Sequence, residues 1–333
     1  MPAFAIGVDL GGTNLRIAAV SDDGRVLESV TLDTGPRRGR DAVLDEMCRA
    51  IREVQGRQAK QGTLAGIGIG VPGIIDMETG LLRESPNLPG WHDYPVRDEI
   101  ERRLKTRVIL ENDANAAAMG EFWTGAARDV DDSCMITLGT GVGGGLVLDG
   151  HLWHGMTGMA GELGHITVNP DGPPCGCGSR GCIEQYASAT AVKRMAEEAI
   201  VRGGVPELER LARNRQLNAK AVFDLAQRGD AGAQAVYATV GRMLGVLLAG
   251  LVNALNLPMY VIGGGVSAAW DAFAPVMIEE VRRRSFVYAA TEPGPRRRTQ
   301  IVKAALGGDA GLIGAARVAL LAEERETHLK ARS

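Results

Sequence analysis

Three of the five cysteines in this 333-residue chain, Cys175, Cys177 and Cys182, fall within eight consecutive positions. Glycines between them permit the tight turns that bring three sulfur atoms together. His165, ten residues before the first of them, offers a fourth ligand. Three thiolates and one imidazole form a common tetrahedral zinc site. The spacing therefore predicts a structural Zn²⁺ bound by these four side chains.

Two carboxylates, Glu162 and Glu184, flank this cysteine segment and are not needed to complete a four-ligand metal site. A metal site with two carboxylates beside it that are not ligands indicates a structural element that shapes a binding site.

A first glycine turn, DLGGT at residues 9–13, follows a predicted strand. Backbone N–H groups of Gly11 and Gly12 can point at phosphate oxygens in such a turn, and Thr13 can add a donor. Asp9 can hold Mg²⁺ through water. A hairpin turn capped by aspartate fits the same residues, and the turn alone does not separate the two interpretations.

A second glycine turn, TLGTGVGGG at residues 137–145, contains Gly139, Gly141 and Gly144 in the spacing G-x-G-x-x-G. The dinucleotide-binding form of this motif needs a helix next, but LVLDG follows, which predicts a strand and a turn. We therefore expect a second phosphate-binding hairpin. Its phosphate contacts are expected from Gly139, Thr140, Gly141 and Gly143.

A third glycine run at residues 263–265 follows a predicted strand and precedes a helix expected to begin near Ala268. Gly264 and Gly265 at a helix N-terminus favour an anion or a nucleotide packed against the backbone. Close packing of helix on strand is the alternative.

Asp113 ends the predicted strand over 107–110 and begins an alanine-rich helix. It fits a helix N-cap. It also fits a general base, a role that contributes about 10²–10⁴ in rate. Asn112 and Asn115 add more polar groups than a cap needs, and spacing alone leaves both interpretations open.

The hydrophobic pattern predicts two similar α/β halves, each opening with a strand, a glycine turn and a strand (residues 4–20 and 134–148). Such halves indicate two lobes with a cleft between them. We expect a smaller lobe over 1–118, joined by a C-terminal helix at about 310–325, and a larger lobe over 119–309 that carries the zinc ligands.

Composition limits the classes of function. The chain is 45% hydrophobic and 23% charged, as in a folded globular protein. A net charge of −3 provides no basic field for nucleic acid. No apolar run approaches the length of about twenty residues that spans a membrane, and no signal peptide is recognisable, so we expect a cytoplasmic protein. An odd cysteine number, with three clustered, fits metal better than disulfides.

Together these segments resemble the ROK family of bacterial sugar kinases and related repressors, over nearly the whole chain. The resemblance implies the two-lobed actin-like ATPase (ribonuclease H-like) fold with an interlobe cleft, ATP with Mg²⁺, the structural Zn²⁺ and a hexose substrate. Asp113 matches the family's catalytic base. The implied sugar contacts are Gly73, Asn87, Asn112, Asp113, Glu162, His165 and Glu184. The turns Asp9–Thr13 and Gly139–Gly145 look like the family's two phosphate loops.

The resemblance implies ATP-dependent phosphorylation of a hexose, and the run at residues 182–190 is most similar to that of bacterial glucokinases. N-acetylmannosamine and N-acetylglucosamine kinases carry close variants of this run. A sugar-responsive repressor is disfavoured because the first strand begins by Phe4, which leaves no room for a DNA-binding domain. A zinc-stabilised binding protein without catalysis would leave Asp9 and Asp113 without a task. A homodimer is expected from the family alone.

Overall fold

The computed structural model describes residues 2–85, 87–291 and 298–330. Its first sheet has five strands in the order β3-β2-β1-β4-β7. Strands β1, β2 and β3 pair antiparallel, whereas β4 and β7 run parallel to β1. These strands are β1 (Ala3–Leu10), β2 (Asn14–Ser21), β3 (Val26–Asp33), β4 (Thr63–Val71) and β7 (Ile109–Asn112).

Helices cover both faces of this sheet, which explains why β1 is a nearly continuous apolar run rather than an alternating one. Phe4 and Ile6 join the core formed with α1 (Arg40–Gln58), while Ala5 packs with Leu312 and Ala316 of α11 (Ala310–Lys330). Two further helices are α2 (Val96–Leu104) and α3 (Asp113–Trp123), and a small hairpin joins β5 (Ile74–Asp76) to β6 (Leu81–Glu84).

The second sheet has the order β10-β9-β8-β11-β12, with β11 parallel to both neighbours. Its strands are β8 (Ser133–Leu138), β9 (Val142–Leu148), β10 (His151–Leu152), β11 (Met259–Gly263) and β12 (Gln300–Lys303). The remaining helices are α4 (Glu184–Ala187), α5 (Ala189–Arg202), α6 (Pro206–Arg213), α7 (Ala219–Gln227), α8 (Ala231–Leu255), α9 (Trp270–Arg284) and α10 (Phe286–Thr291).

The chain divides into two compact units. The first comprises Met1–Asp131, Gly145–Gly161 and Ala305–Ser333, and the second comprises Asp132–Gly144 and Glu162–Ala304. Helix α3 belongs entirely to the first unit. The lobe boundary between residues 118 and 119 remains a prediction.

Helix α8 is the one helix among the described residues that is long and apolar enough to cross a membrane. Of its most apolar stretch, 56% is buried inside the protein. Core helices of soluble proteins pass the same test, so its length and composition are weak evidence for a membrane span.

The helix expected near Ala268 begins later, at Trp270, because a 3-10 turn over Gly265–Ala269 comes first. The β5–β6 hairpin and helices α6 and α10 were not predicted, since each is too short to show a repeating apolar pattern.

Candidate active site

The four predicted metal ligands converge in the second unit. One ligand atom each from His165, Cys175, Cys177 and Cys182 lies within 4.8 Å of all the others. Cys177 Sγ is 3.7 Å from Cys182 Sγ, and Cys175 Sγ is 3.7 Å from His165 Nδ1. Two sulfur atoms bound tetrahedrally to one Zn²⁺ at about 2.3 Å lie roughly 3.8 Å apart. The donor set and spacing therefore fit a structural Zn²⁺.

Backbone turns build this cluster. Cys175 N donates to Ser179 O at 2.8 Å, and Gly181 N donates to Pro173 O at 2.8 Å. Gly181 has a φ of +62°, and a Cβ there would collide with Asn169 O. Only glycine fits this position, which lies directly before Cys182.

The thiols of the cluster differ in their environment. A hydrogen bond from the Ser179 backbone lowers the pKa of Cys177, whereas burial raises the pKa of Cys182 to about 12. Thiolates are the form that binds zinc, so a cation is needed to hold the buried sulfur in that form.

The two spare carboxylates lie next to this cluster. With His165 Nδ1 turned towards the sulfurs, its Nε2 lies 3.9 Å from Glu162 Oε2. Glu184 is the first residue of α4, and its Oε2 accepts a hydrogen bond from Val142 N at 3.1 Å. A Cβ on Gly141 would collide with that same oxygen. Glu184 therefore contacts the second glycine turn, a link that no sequence motif indicated.

The second and third glycine segments meet within the second unit. Gly139 N donates to Gly141 O at 2.9 Å, which closes the turn between β8 and β9. Thr140 O accepts from Thr190 Oγ1 at 3.0 Å. Gly264 follows β11 and packs against the backbone of Leu138. Close packing and a nucleotide-binding role are compatible at this position.

The first glycine turn lies in the first unit, between β1 and β2. Asp9 is half-buried at the end of β1, where burial raises its pKa and the Arg16 guanidinium opposes that rise. Arg16 Nη2 also lies 2.5 Å from Asp309 Oδ1, near the start of α11. Gly12 packs against Asn87, so the predicted sugar loop contacts this turn. Pro86, before Asn87, lies outside the described residues.

Asn112 and Asp113 occupy the junction between β7 and α3. The N-cap is Asn112, whose Oδ1 accepts from Ala114 N at 2.9 Å and from Asn115 N at 3.2 Å. The interpretation of Asp113 as the cap is therefore wrong. Asp113 is the first helical residue, half-buried, and its Oδ1 accepts from Ala114 N at 2.9 Å.

Asn112 also ties this junction to a second predicted sugar contact. Its Nδ2 donates to Gly73 O at 3.2 Å, in the loop after β4. Gly73 and Asn87 therefore both lie in the first unit together with Asn112 and Asp113, whereas Glu162, His165 and Glu184 lie in the second.

A family model described as the ROK family matches residues 5–322. The chain belongs to the ROK family. It is 40% identical over 315 residues to a glucokinase of Thermotoga maritima, covering 94% of this chain and 96% of that protein. It is 39% identical over 312 residues to a glucokinase of Halalkalibacterium halodurans, covering 93% and 92%.

A solved ROK family structure gives the fold. The glucokinase from Streptomyces griseus, in complex with glucose and AMPPNP, superposes with a TM-score of 0.79 at 34% identity, covering 95% of this chain and 98% of that one. This ROK protein therefore has the two-lobed actin-like ATPase fold, as the sequence resemblance implied.

Proposed function

We propose that this ROK protein is an ATP-dependent glucokinase that transfers the γ-phosphoryl group of ATP to the 6-hydroxyl of glucose. The observation that carries the proposal is the junction at the carboxyl end of β7. There Asp113 follows Asn112, whose side chain is fixed by three hydrogen bonds. The similarity to curated glucokinases over more than 90% of the chain supports glucose as the hexose.

Asp113 acts as the general base. Its carboxylate accepts the proton of the 6-hydroxyl as that oxygen bonds to the γ-phosphorus, and the bond from phosphorus to the bridging oxygen of ADP breaks. Phosphoryl transfer depends on positioning and on neutralising charge rather than on a covalent intermediate. A carboxylate placed at the end of a strand and the start of a rigid helix meets the positioning requirement.

ATP is bound by the three glycine segments. Their turns present backbone N–H groups to phosphate oxygens. Mg²⁺, when bound, neutralises phosphate charge, and Asp9 is its candidate anchor through water. The proposed contacts are Asp9, Gly11, Gly12, Thr13, Gly139, Thr140, Gly141, Gly143, Gly264 and Gly265.

Glucose is bound by amide, carboxylate and imidazole groups that match the paired donors and acceptors of its hydroxyls. The proposed contacts are Gly73, Asn87, Asn112, Asp113, Glu162, His165 and Glu184. We assign Zn²⁺ at His165 and the three cysteines a structural task, because it would hold the segment between Glu162 and Glu184 in one shape. A cytoplasmic homodimer without nucleic-acid or membrane partners completes the proposal.

A coupled assay with ATP and a panel of sugars tests this function. The panel is glucose, mannose, fructose, N-acetylglucosamine and N-acetylmannosamine. We expect the highest kcat/KM for glucose. A higher kcat/KM for N-acetylmannosamine or N-acetylglucosamine would reassign the substrate, and no turnover with any sugar would reject a kinase.

A further inference from the structure

Glu111 is a buried carboxylate directly before Asn112 and Asp113, and only 1% of its surface is exposed. A buried carboxylate is strongly unfavourable unless hydrogen bonds compensate its charge. Glu111 accepts from Asn112 N at 2.9 Å, from Asn115 Nδ2 at 3.0 Å and from His154 Nε2 at 2.8 Å. Two of these donors belong to the junction of β7 and α3, whereas His154 comes from a distant part of the same unit.

His154 lies at the base of a short loop over residues 154–160. Ala160 N donates to His154 O at 3.1 Å, which closes the loop. The imidazole is 35% exposed, yet it reaches inward to Glu111. Two residues after Ala160 the chain reaches Glu162, a proposed sugar contact. One side chain therefore ties the loop that leads to Glu162 to the junction that carries the proposed base.

Hydrogen bonds connect His154 to Asn112, the residue directly before the proposed base. His154 bonds to one oxygen of Glu111, and the other oxygen holds Asn112 N and the Asn115 side chain. Asn112 in turn caps α3, where Asp113 is the first residue. A shift of Glu111 would therefore rotate the first turn of α3, and the Asp113 carboxylate would move with it.

We propose that His154 is a positioning residue of the phosphoryl-transfer site and acts through Glu111 to fix the orientation of the Asp113 carboxylate. It contacts no reacting atom. The inference rests on the proposed function, because it requires Asp113 to be the base. A displacement of about 1 Å at a reacting group can lower the rate by up to about 100-fold. Loss of the hydrogen bond from His154 to Glu111 can therefore lower the rate measurably.

Two substitutions of His154 by an amide side chain, which differ in length by one methylene group, test the proposal. In His154→Gln the amide reaches Glu111 and donates as the imidazole does. In His154→Asn the shorter side chain falls short, while the polarity of the site is kept. His151→Asn is the matched control, since His151 is in the same segment but its Nδ1 donates to Asp149 O, 2.6 Å away.

Steady-state kinetics and melting temperatures are measured for all four proteins. We expect His154→Asn to fold with a lowered melting temperature, because buried Glu111 loses the His154 donor, and to lower kcat by about 10- to 100-fold. His154→Gln should stay within about threefold of wild type, and His151→Asn should not differ from it. The proposal is overturned if His154→Asn keeps its kcat, if His154→Gln loses as much, or if His154→Asn fails to fold and so assigns the pair to stability.

Wild-type turnover separates failure of this inference from failure of the glucokinase proposal. If wild type phosphorylates another hexose in the panel but not glucose, the variants are compared on that hexose, and the role of His154 is still decided. If wild type phosphorylates no sugar, the kinase proposal and this inference fail together.

Discussion

The two units of this ROK protein hold their proposed sugar contacts in place by different means. In the first unit, Asn112 is fixed by hydrogen bonds to Ala114, Asn115 and Gly73, and Glu111 supports it from below. In the second unit, the segment from Glu162 to Glu184 is shaped around four ligand atoms that gather within 4.8 Å.

Because of this difference, the two sets of sugar contacts should respond differently to the removal of metal. Hydrogen bonds between chain groups persist without any added ion, so the first set is organised by the protein alone. Thiolates repel one another unless a cation lies between them, so we expect the contacts of the second unit to depend on a bound metal. Changing either set of contacts therefore breaks this comparison or sharpens it.

The largest effect is expected from Asp113→Asn in the metal-independent set. The amide keeps an oxygen that can accept from Ala114 N, so the helix start is preserved, but the group can no longer take a proton. We expect kcat to fall by about 10²–10⁴ with little change in glucose affinity. Kinetics and calorimetric glucose titration measure both, and Asp129→Asn, an 85% exposed acid of the same unit, is the control. Normal turnover would remove the base assignment.

The position of Asn112 and Asp113 at a strand end and the clustering of the four candidate metal ligands could be predicted from sequence, because each set is local. Four ligands within eighteen positions and two adjacent polar residues at a strand end leave few alternatives. The sequence could not show that Asn112 rather than Asp113 is the N-cap of α3. A helix boundary can shift by one residue without changing the hydrophobic pattern of the sequence. The contact of Glu184 with Val142 and that of Glu111 with His154 join residues more than forty positions apart, and no local spacing reports them.

The second largest effect is expected from loss of the metal site. Cys177→Ser, or removal of metal by a chelator, should weaken glucose binding by about 10- to 100-fold, by analogy with lost metal-site support. Mass spectrometry measures the bound zinc, and titration with glucose measures the affinity for the sugar. Ser179→Ala, in the same turn but without a ligand, should retain both. Full glucose affinity in metal-free protein would show that the sugar contacts of the second unit do not depend on metal.

A smaller effect is expected from Gly141→Ala. The added methyl group collides with Glu184 Oε2, so the carboxylate must leave Val142 N, and both the turn and the sugar contact change. We expect kcat/KM for glucose to fall by about tenfold. Gly250→Ala is the control, because a Cβ there meets nothing within 4 Å. Equal kinetics in the two variants would show that Glu184 works independently of the turn.

The smallest effect is a pH dependence of stability in the first unit. The hydrogen bond to Glu111 raises the pKa of His154 from 6.5, opposed by burial and by Arg325. The protonated pair therefore stabilises the fold fully below about pH 6.5 and loses that contribution as pH rises through the higher folded pKa. The melting-temperature difference between wild type and His154→Gln should shrink between pH 6 and 9. A constant difference would contradict a charged pair.

The most direct test of the account is the identity of the product made by wild type and by Asp113→Asn. Each zinc-loaded protein is incubated with glucose, ATP and Mg²⁺, and ³¹P and ¹³C NMR locate the new phosphate ester. Wild type should form glucose 6-phosphate and ADP in equal amounts, and the variant should form almost none while still binding glucose. A phosphate on another hydroxyl, or equal product from both proteins, would contradict the account.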